Sequence, residues 1–409
     1  MTSPGPPASL YVHVPICASK CAYCDFFSLP ASSLPEDFES GLVRATLERA
    51  SRLAERFGAD GFDTVYIGGG TPTMLGAEAL ESLLRGIGAL ASGSRGRGPR
   101  EWTIEANPDS LGPEGLDIMA RGGVTRLSVG VQSLDPTELE LLGRRHGREA
   151  ALKALRAAAE RGFKVSADLI AGIPRRKGGG PRALDGLARF ARELADAGAR
   201  HISAYDLSIE EGTALAARRE DYDFPDEDEA WEERRLLESE LEAGGMRRYE
   251  VSNYSARGDE CLHNLAYWRM DSYIGAGPGA VSTIALEGGS SLRIEEAESI
   301  EGYGEGGRFS AAETPIPLRE AAFETMMMSF RTRFGLDTDA FLERFGMRAE
   351  ELIGETLASW APRLGAGEAW PGTPAGRGRA GIALDGGGLD LLNRFLGDCL
   401  EELRAKFPS

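Results

Sequence analysis

Short apolar runs alternate with amphipathic stretches through the first 210 residues of the chain. The runs 10–14 (LYVHV), 62–67 (FDTVYI), 102–105 (WTIE), 126–131 (RLSVGV), 165–170 (VSADLI) and 201–207 (HISAYDL) read as strands. Helical patterning fills 35–57, 77–90, 113–121, 148–161 and 181–197 between them. The strands are apolar without strict alternation, and a helix follows each of the first five. That predicts an α/β fold, a parallel sheet whose outer face is covered by helices. Such folds bind ligands at the carboxyl ends of their strands.

The pattern changes near Arg218. Residues 220–242 are dense in Asp and Glu and read as a solvated amphipathic helix. Tyr, Trp and Gly motifs follow between 249 and 283. The last hundred residues are helical, interrupted by a Gly-rich insert over 365–388 that reads as a loop or a hairpin wing. The expected division is a disordered N-terminus (1–8), the β–α units (9–224), a connecting region (225–314) and a mostly helical, winged-helix-like C-terminal domain (315–409).

Composition narrows the partners. The 409 residues carry 46 Lys and Arg against 64 Asp and Glu, a formal charge of −18. Nucleic acid is not an expected partner, because phosphate neutralisation needs clustered basic groups. Hydrophobic residues make up 42 % and charged residues 27 %, a globular balance. The opening MTSPGPPASL has no secretory pattern, and no run is long and apolar enough for an integral membrane segment. Five Cys, an odd number with three in one short stretch, do not form a disulfide framework. The expected compartment is cytoplasmic, where thiols stay reduced.

Those three, Cys17, Cys21 and Cys24, follow the first strand with the spacing C-x3-C-x2-C. Thiolates suit soft metals and iron–sulfur clusters. Three Cys do not close an all-cysteine zinc site, and His13 is the one His near in sequence. A 4Fe–4S cubane on three Cys leaves one iron open to a chelating small molecule. Zinc and ordinary buried thiols are the competing readings, and the tight clustering favours the cubane.

The surrounding residues resemble the radical SAM superfamily. Tyr11-x-His13-x-Pro15-x-Cys17 and Lys20-Cys21-x-Tyr23-Cys24-Asp25-Phe26 are similar to its oxygen-independent coproporphyrinogen III oxidase-like branch. GGGTPT (68–73), EANP (105–108), SVGVQS (128–133), DLI (168–170), His263-Asn264-x2-Tyr267-Trp268 and Gly275-x-Gly277-Pro278-x-Ala280 extend the resemblance from residue 10 to at least 337. It implies an incomplete (β/α)6 barrel with a 4Fe–4S cluster and S-adenosylmethionine at its mouth. By position, Cys17, Cys21 and Cys24 would ligate the cluster, and Tyr11 and Tyr23 would pack near cluster and cofactor. Gly69, Gly70 and Thr71 would line the methionine end of the cofactor, and Glu105 would accept from ribose hydroxyls. Gln132, Arg144 and Asp168 would hold the cofactor or a second copy of it; a register slip would exchange Arg144 for Arg145. Relatives continue Gly-x-Thr after Pro174, whereas Arg175-Arg176-Lys177 stands here, which puts that loop's geometry in question.

Within the branch, the oxidases carry a further Cys two residues after the third, where this chain has Phe26. HNLAYW (263–268) points to the heme-chaperone group: an imidazole is a common axial ligand of heme iron, and aromatic rings stack on porphyrins. His263, Tyr267 and Trp268 are therefore the candidate heme contacts, packing of an inter-domain core being the alternative. Met326, Met327 and Met328 read as core filling. His146 and His201 read as structural, and Cys261 and Cys399 as inert thiols. The resemblance implies a protein that binds heme and hands it to recipient hemoproteins such as respiratory enzymes, with peripheral contact to membrane partners compatible with that role. The alternatives are oxidative decarboxylation of coproporphyrinogen III propionates by a 5′-deoxyadenosyl radical, or an unrelated radical SAM reaction.

Overall fold

The computed structural model describes residues 5–35, 37–94, 96–179, 183–301, 303, 310–371 and 381–406. Six strands form the parallel core in sequence order: β1 (Ser9–Val14), β2 (Thr64–Gly69), β3 (Glu101–Ala106), β4 (Arg126–Gln132), β5 (Lys164–Ala171) and β6 (His201–Asp206). The residues of β1 to β5 are buried almost throughout, as expected for a sheet covered on both faces, whereas β6 ends in exposed Tyr205 and Asp206. Helices α1 (Phe38–Arg56), α2 (Ala77–Ser92), α3 (Pro113–Gly122), α4 (Pro136–Leu142), α5 (Arg148–Glu160) and α6 (Gly186–Asp196) occupy the crossovers. The α2 face that packs inward carries Leu80, Leu83, Leu84, Ile87 and Ala91, an i, i+3, i+4, i+7 stripe. β1 does not pair with β6, so the barrel is incomplete.

The sheet continues past both ends of this core. At the β6 edge it adds β7 (Met246–Arg248) and β8 (Asn253–Ala256), antiparallel, after α7 (Glu227–Ala243). At the β1 edge, after α8 (Leu262–Trp268), it adds β9 (Tyr273–Ala276), parallel to β1, then antiparallel β10 (Val281–Ala285), β11 (Ser291–Glu296) and β12 (Ala311–Ile316). One 12-stranded sheet results. The connecting region therefore shares the barrel's core, through Leu237, Leu241, Tyr254, Ile274 and Ile294.

A second core begins at Ile316 and gathers α9 (Leu318–Ser329), α10 (Thr338–Phe345), α11 (Ala349–Ser359) and α12 (Leu392–Lys406). Within the Gly-rich insert, β13 (Leu364–Ala366) pairs antiparallel with β14 (Ile382–Leu384), and residues 372–380 lie outside the described residues. At the other terminus, residues 1–4 lie outside them too. Pro7 is buried, and the Ala8 carbonyl accepts from the Asp63 and Thr64 amides, so the chain is tied to the sheet before Ser9. The loop after Pro174 departs from the resemblance as Arg175–Arg176, pairing with Tyr222–Asp223.

Candidate functional site

The loop after β1 holds Cys17, Cys21 and Cys24, all half-buried and free. Two short strands, Ile16–Cys17 and Leu29–Pro30, close its base. Its middle is pinned from outside: Ala22 N donates to Leu142 O at 3.0 Å, and Ala22 O accepts from Leu215 N at 2.8 Å. Burial pushes the Cys17 and Cys24 thiols up. Arg144 Nη1 lies 3.4 Å from Cys21 Sγ, and Thr71 Oγ1 3.8 Å from Cys17 Sγ. The Thr71 donor and the Arg144 charge offset part of the burial effect on Cys17. Among the described residues no three His, Cys, Asp or Glu side chains gather closely enough for a single metal ion. Three thiols in one short loop are soft donors of the kind that ligate iron–sulfur clusters.

The turn after β2 comes close to this loop. A Cβ on Gly69 (φ 104°) would stand 2.5 Å from the His13 ring, and one on Gly70 2.6 Å from Ile16 O. These glycines are therefore required by packing, whatever else they contact. Glu105, at the end of β3, accepts from Tyr66 Oη (2.7 Å) and Gly69 N (3.2 Å). Burial, with the Asp168 charge adding, raises its carboxyl to about 7. Asp168 accepts from Ser128 Oγ at 3.2 Å, and burial raises it to about 6.

Arg144 is half-buried and points inward, whereas Arg145 is exposed. Arg144 Nη2 donates to Asn107 Oδ1 and to Gly130 O, both at 2.6 Å, and its buried Nε has no protein partner. Gln132 takes a positive φ of 68° where the β4–β5 register shifts, an uncommon conformation for a non-glycine. Gln132, Asn107 and Arg144 converge over Gly130, where a Cβ would meet all three within 3.4 Å. Asn107 also donates to Thr71 Oγ1 at 2.9 Å. It links the cysteine loop to the strand ends, a role the sequence analysis did not assign. Tyr11 reaches His13 Nδ1 (3.0 Å), whereas Tyr23 packs against Leu142, Ile170 and Ile173.

The three candidate heme contacts separate. His263 is fully buried. Thr64 Oγ1 donates to Ser9 Oγ, so His263 Nδ1–H donates to Thr64 (2.9 Å), and Nε2 accepts the Tyr267 hydroxyl proton (2.9 Å). Burial lowers its pKa to about 3. Both ring nitrogens of His263 are thus hydrogen-bonded within the protein. Tyr267 and Trp268 instead line a cavity of about 590 Å³ between α8, the strands β9 to β11 and α9. Tyr66, His263, Tyr267 and Tyr273 run in sequence with ring centroids 5.3, 4.9 and 4.5 Å apart, linking barrel interior and cavity. Glu250 Oε1, Asn253 Oδ1 and Trp268 Nε1 belong to cavity-lining residues and are buried without protein partners. Cys261 is turned elsewhere, with Sγ 3.4 Å from Glu101 Oε1.

Comparison with known proteins gives consistent matches. Residues 11–177 match the radical SAM superfamily model, and residues 316–365 the HemN C-terminal domain model. The chain is 40 % identical over 293 residues to the heme chaperone HemW of Mycobacterium tuberculosis, covering 69 % of this chain and 71 % of that protein. It is 33 % identical to HemW of Escherichia coli over 332 residues, covering 80 % and 83 % respectively. The solved structure of coproporphyrinogen III oxidase HemN from Escherichia coli superposes with a TM-score of 0.75 at 19 % identity, over 96 % of this chain and 90 % of that one. The last match shares the fold, a radical SAM barrel with a helical C-terminal region.

Proposed function

The chain belongs to the HemW family of radical SAM proteins, and we propose from this that it is an iron–sulfur, S-adenosylmethionine-binding heme chaperone. In this reading Cys17, Cys21 and Cys24 hold a 4Fe–4S cluster. Gly69, Gly70, Thr71, Glu105, Gln132, Arg144 and Asp168 hold S-adenosylmethionine, with Tyr11 and Tyr23 shielding the region from water. When bound, the cluster supplies one-electron chemistry and an open iron for the cofactor. Glu105 and Asp168 supply acceptors at the strand ends, and the donation of Arg144 to Cys21 offsets thiolate charge in a half-buried loop. Heme is the cargo, received at the cavity lined by Tyr267 and Trp268 and passed to recipient hemoproteins, respiratory enzymes among them. No helix among the described residues is long and apolar enough to cross a membrane. Five free cysteines fit a reducing compartment, and cytoplasmic residence is part of the proposal.

The observation that carries the reading is the separation of two sites. Cys17, Cys21, Cys24, Gly69, Gly70, Thr71, Glu105, Gln132, Arg144 and Asp168 form one, and none of them lines the aromatic cavity, to which the strand ends contribute Tyr205 of β6. A carrier needs a cargo site that persists beside the cluster. Phe26, 64 % exposed where the oxidases have a further Cys, argues against the oxidase alternative. The test is to load the reconstituted protein with hemin, re-isolate it, and mix it with an apo-hemoprotein. Heme should co-elute with the chain and then appear in the acceptor. Hemin that elutes free would remove the proposal.

A further inference from the structure

Helix α9 separates its three consecutive methionines. Met326 is 1 % exposed and packs into the second core. Met327 is half-buried, packs against that core and reaches the cavity. Met328 is half-buried and lines the cavity, yet belongs to none of the hydrophobic clusters. A methionine usually earns a buried place by filling core gaps, which Met328 does not do. Glu324, Met327 and Met328 have the spacing i, i+3, i+4, so one face of α9 is turned to the cavity.

The rest of the cavity is equipped for a ligand. Glu250 is fully buried with Oε1 unpartnered, and Asn253 Oδ1 and Trp268 Nε1 are likewise buried and unpartnered. A volume near 590 Å³ with apolar and aromatic walls is typical of a small-molecule site. The nitrogen donor nearest in sequence, His263 Nε2, is taken by Tyr267. The soft donors left on the wall are the thioethers of Met270, Met327 and Met328; Met270 is only 8 % exposed and Met327 packs against the second core, which leaves Met328 the accessible one.

We propose that Met328 donates its thioether sulfur to the iron of the bound heme, with Tyr267 and Trp268 against the macrocycle. The assignment rests on the heme-carrier reading above. A thioether is a neutral, weak axial ligand, and it leaves the iron without a proton transfer. Those properties suit a cargo that has to be released to an acceptor.

The experiment titrates hemin and metal-free protoporphyrin into the full-length protein, comparing wild type, Met328→Leu and Met327→Leu. Leucine nearly conserves volume, and equal thermal midpoints verify the fold. Met328→Leu should lose the thioether-to-iron charge-transfer absorption of the ferric form and bind hemin about tenfold more weakly. Its affinity for metal-free porphyrin should stay within about twofold, and Met327→Leu should change neither ligand by more than about twofold. A Met328→Leu protein with the wild-type hemin spectrum and affinity overturns the assignment, as does loss of the band in Met327→Leu instead. Wild-type protein that takes up no hemin overturns the heme-carrier reading, and the assignment with it.

Discussion

His263 Nε2 lies 2.9 Å from the Tyr267 hydroxyl, and this bond decides which side chains of the HNLAYW motif can face a ligand. The imidazole braces α8 against Thr64 of β2, and Tyr267 carries the contact onward to the cavity wall. His263→Phe should therefore lower stability, by about 1–3 kcal/mol, because Thr64 and Tyr267 lose a buried partner. Thermal denaturation measures this. In the same variant the Soret position of bound hemin should stay unchanged, and a ligand-loss shift would restore the imidazole as iron ligand.

Cys21→Ala should abolish the brown chromophore after anaerobic reconstitution, whereas Cys399→Ala should keep it. Cys399 lies in the second core, 1 % exposed, far from the cysteine loop in the chain. Iron and sulfide analysis should give about four of each per chain for wild type. Stoichiometric zinc in place of iron would overturn the cluster.

Glu105→Gln keeps the shape of a carboxylate that Tyr66 and Gly69 already hold, and removes its charge. S-adenosylmethionine binding should weaken by ~1.5 kcal/mol, through lost charge-assisted hydrogen bonds. Calorimetric titration reads the effect. Equal affinities would confine Glu105 to a scaffold role.

Glu250 gives a pH signature. Burial raises its carboxyl from 4.5 to about 7. Between those values the folded protein keeps a proton that the unfolded chain has released. The group's stabilising contribution is thus present below 4.5 and lost as pH rises through about 7. Glu250→Gln does not titrate, so its stability relative to wild type should increase from pH 5 to pH 8, by up to ~3 kcal/mol. Urea unfolding at the two pH values measures the difference, and a pH-independent difference would contradict it.

The barrel was legible in the sequence because a sheet buried on both faces writes continuous apolar runs. The run over 165–170, for example, lies wholly within β5. Helix α4 was not, since its seven residues are too few for a periodic pattern, although Asp135 before Pro136 is an N-cap signal. The extension of the sheet beyond residue 224 was hidden for another reason. Strands such as β8 are four residues long, and their pairing depends on tertiary contact. The cysteine spacing and the strand-end motifs named the chemistry of the first site. They did not reveal Asn107 as its bridge, because its partners Thr71 and Arg144 are distant in sequence. In the same way, His263 was legible as a possible donor, while the bond that occupies it comes from Thr64, 199 residues away. The methionine run looked uniform in sequence; only the helix phase on two different surfaces separates Met326 from Met328.

Under the proposed function this radical SAM chain carries heme and does not make its precursor. The most direct measurement supplies the anaerobically reconstituted wild-type protein with S-adenosylmethionine, a low-potential reductant and either coproporphyrinogen III or hemin, then quantifies tetrapyrroles by chromatography. The account predicts unchanged coproporphyrinogen III, no protoporphyrinogen IX, and hemin retained by the protein until an apo-hemoprotein is added. Protoporphyrinogen IX produced in multiple turnovers, with hemin left unbound, would contradict it.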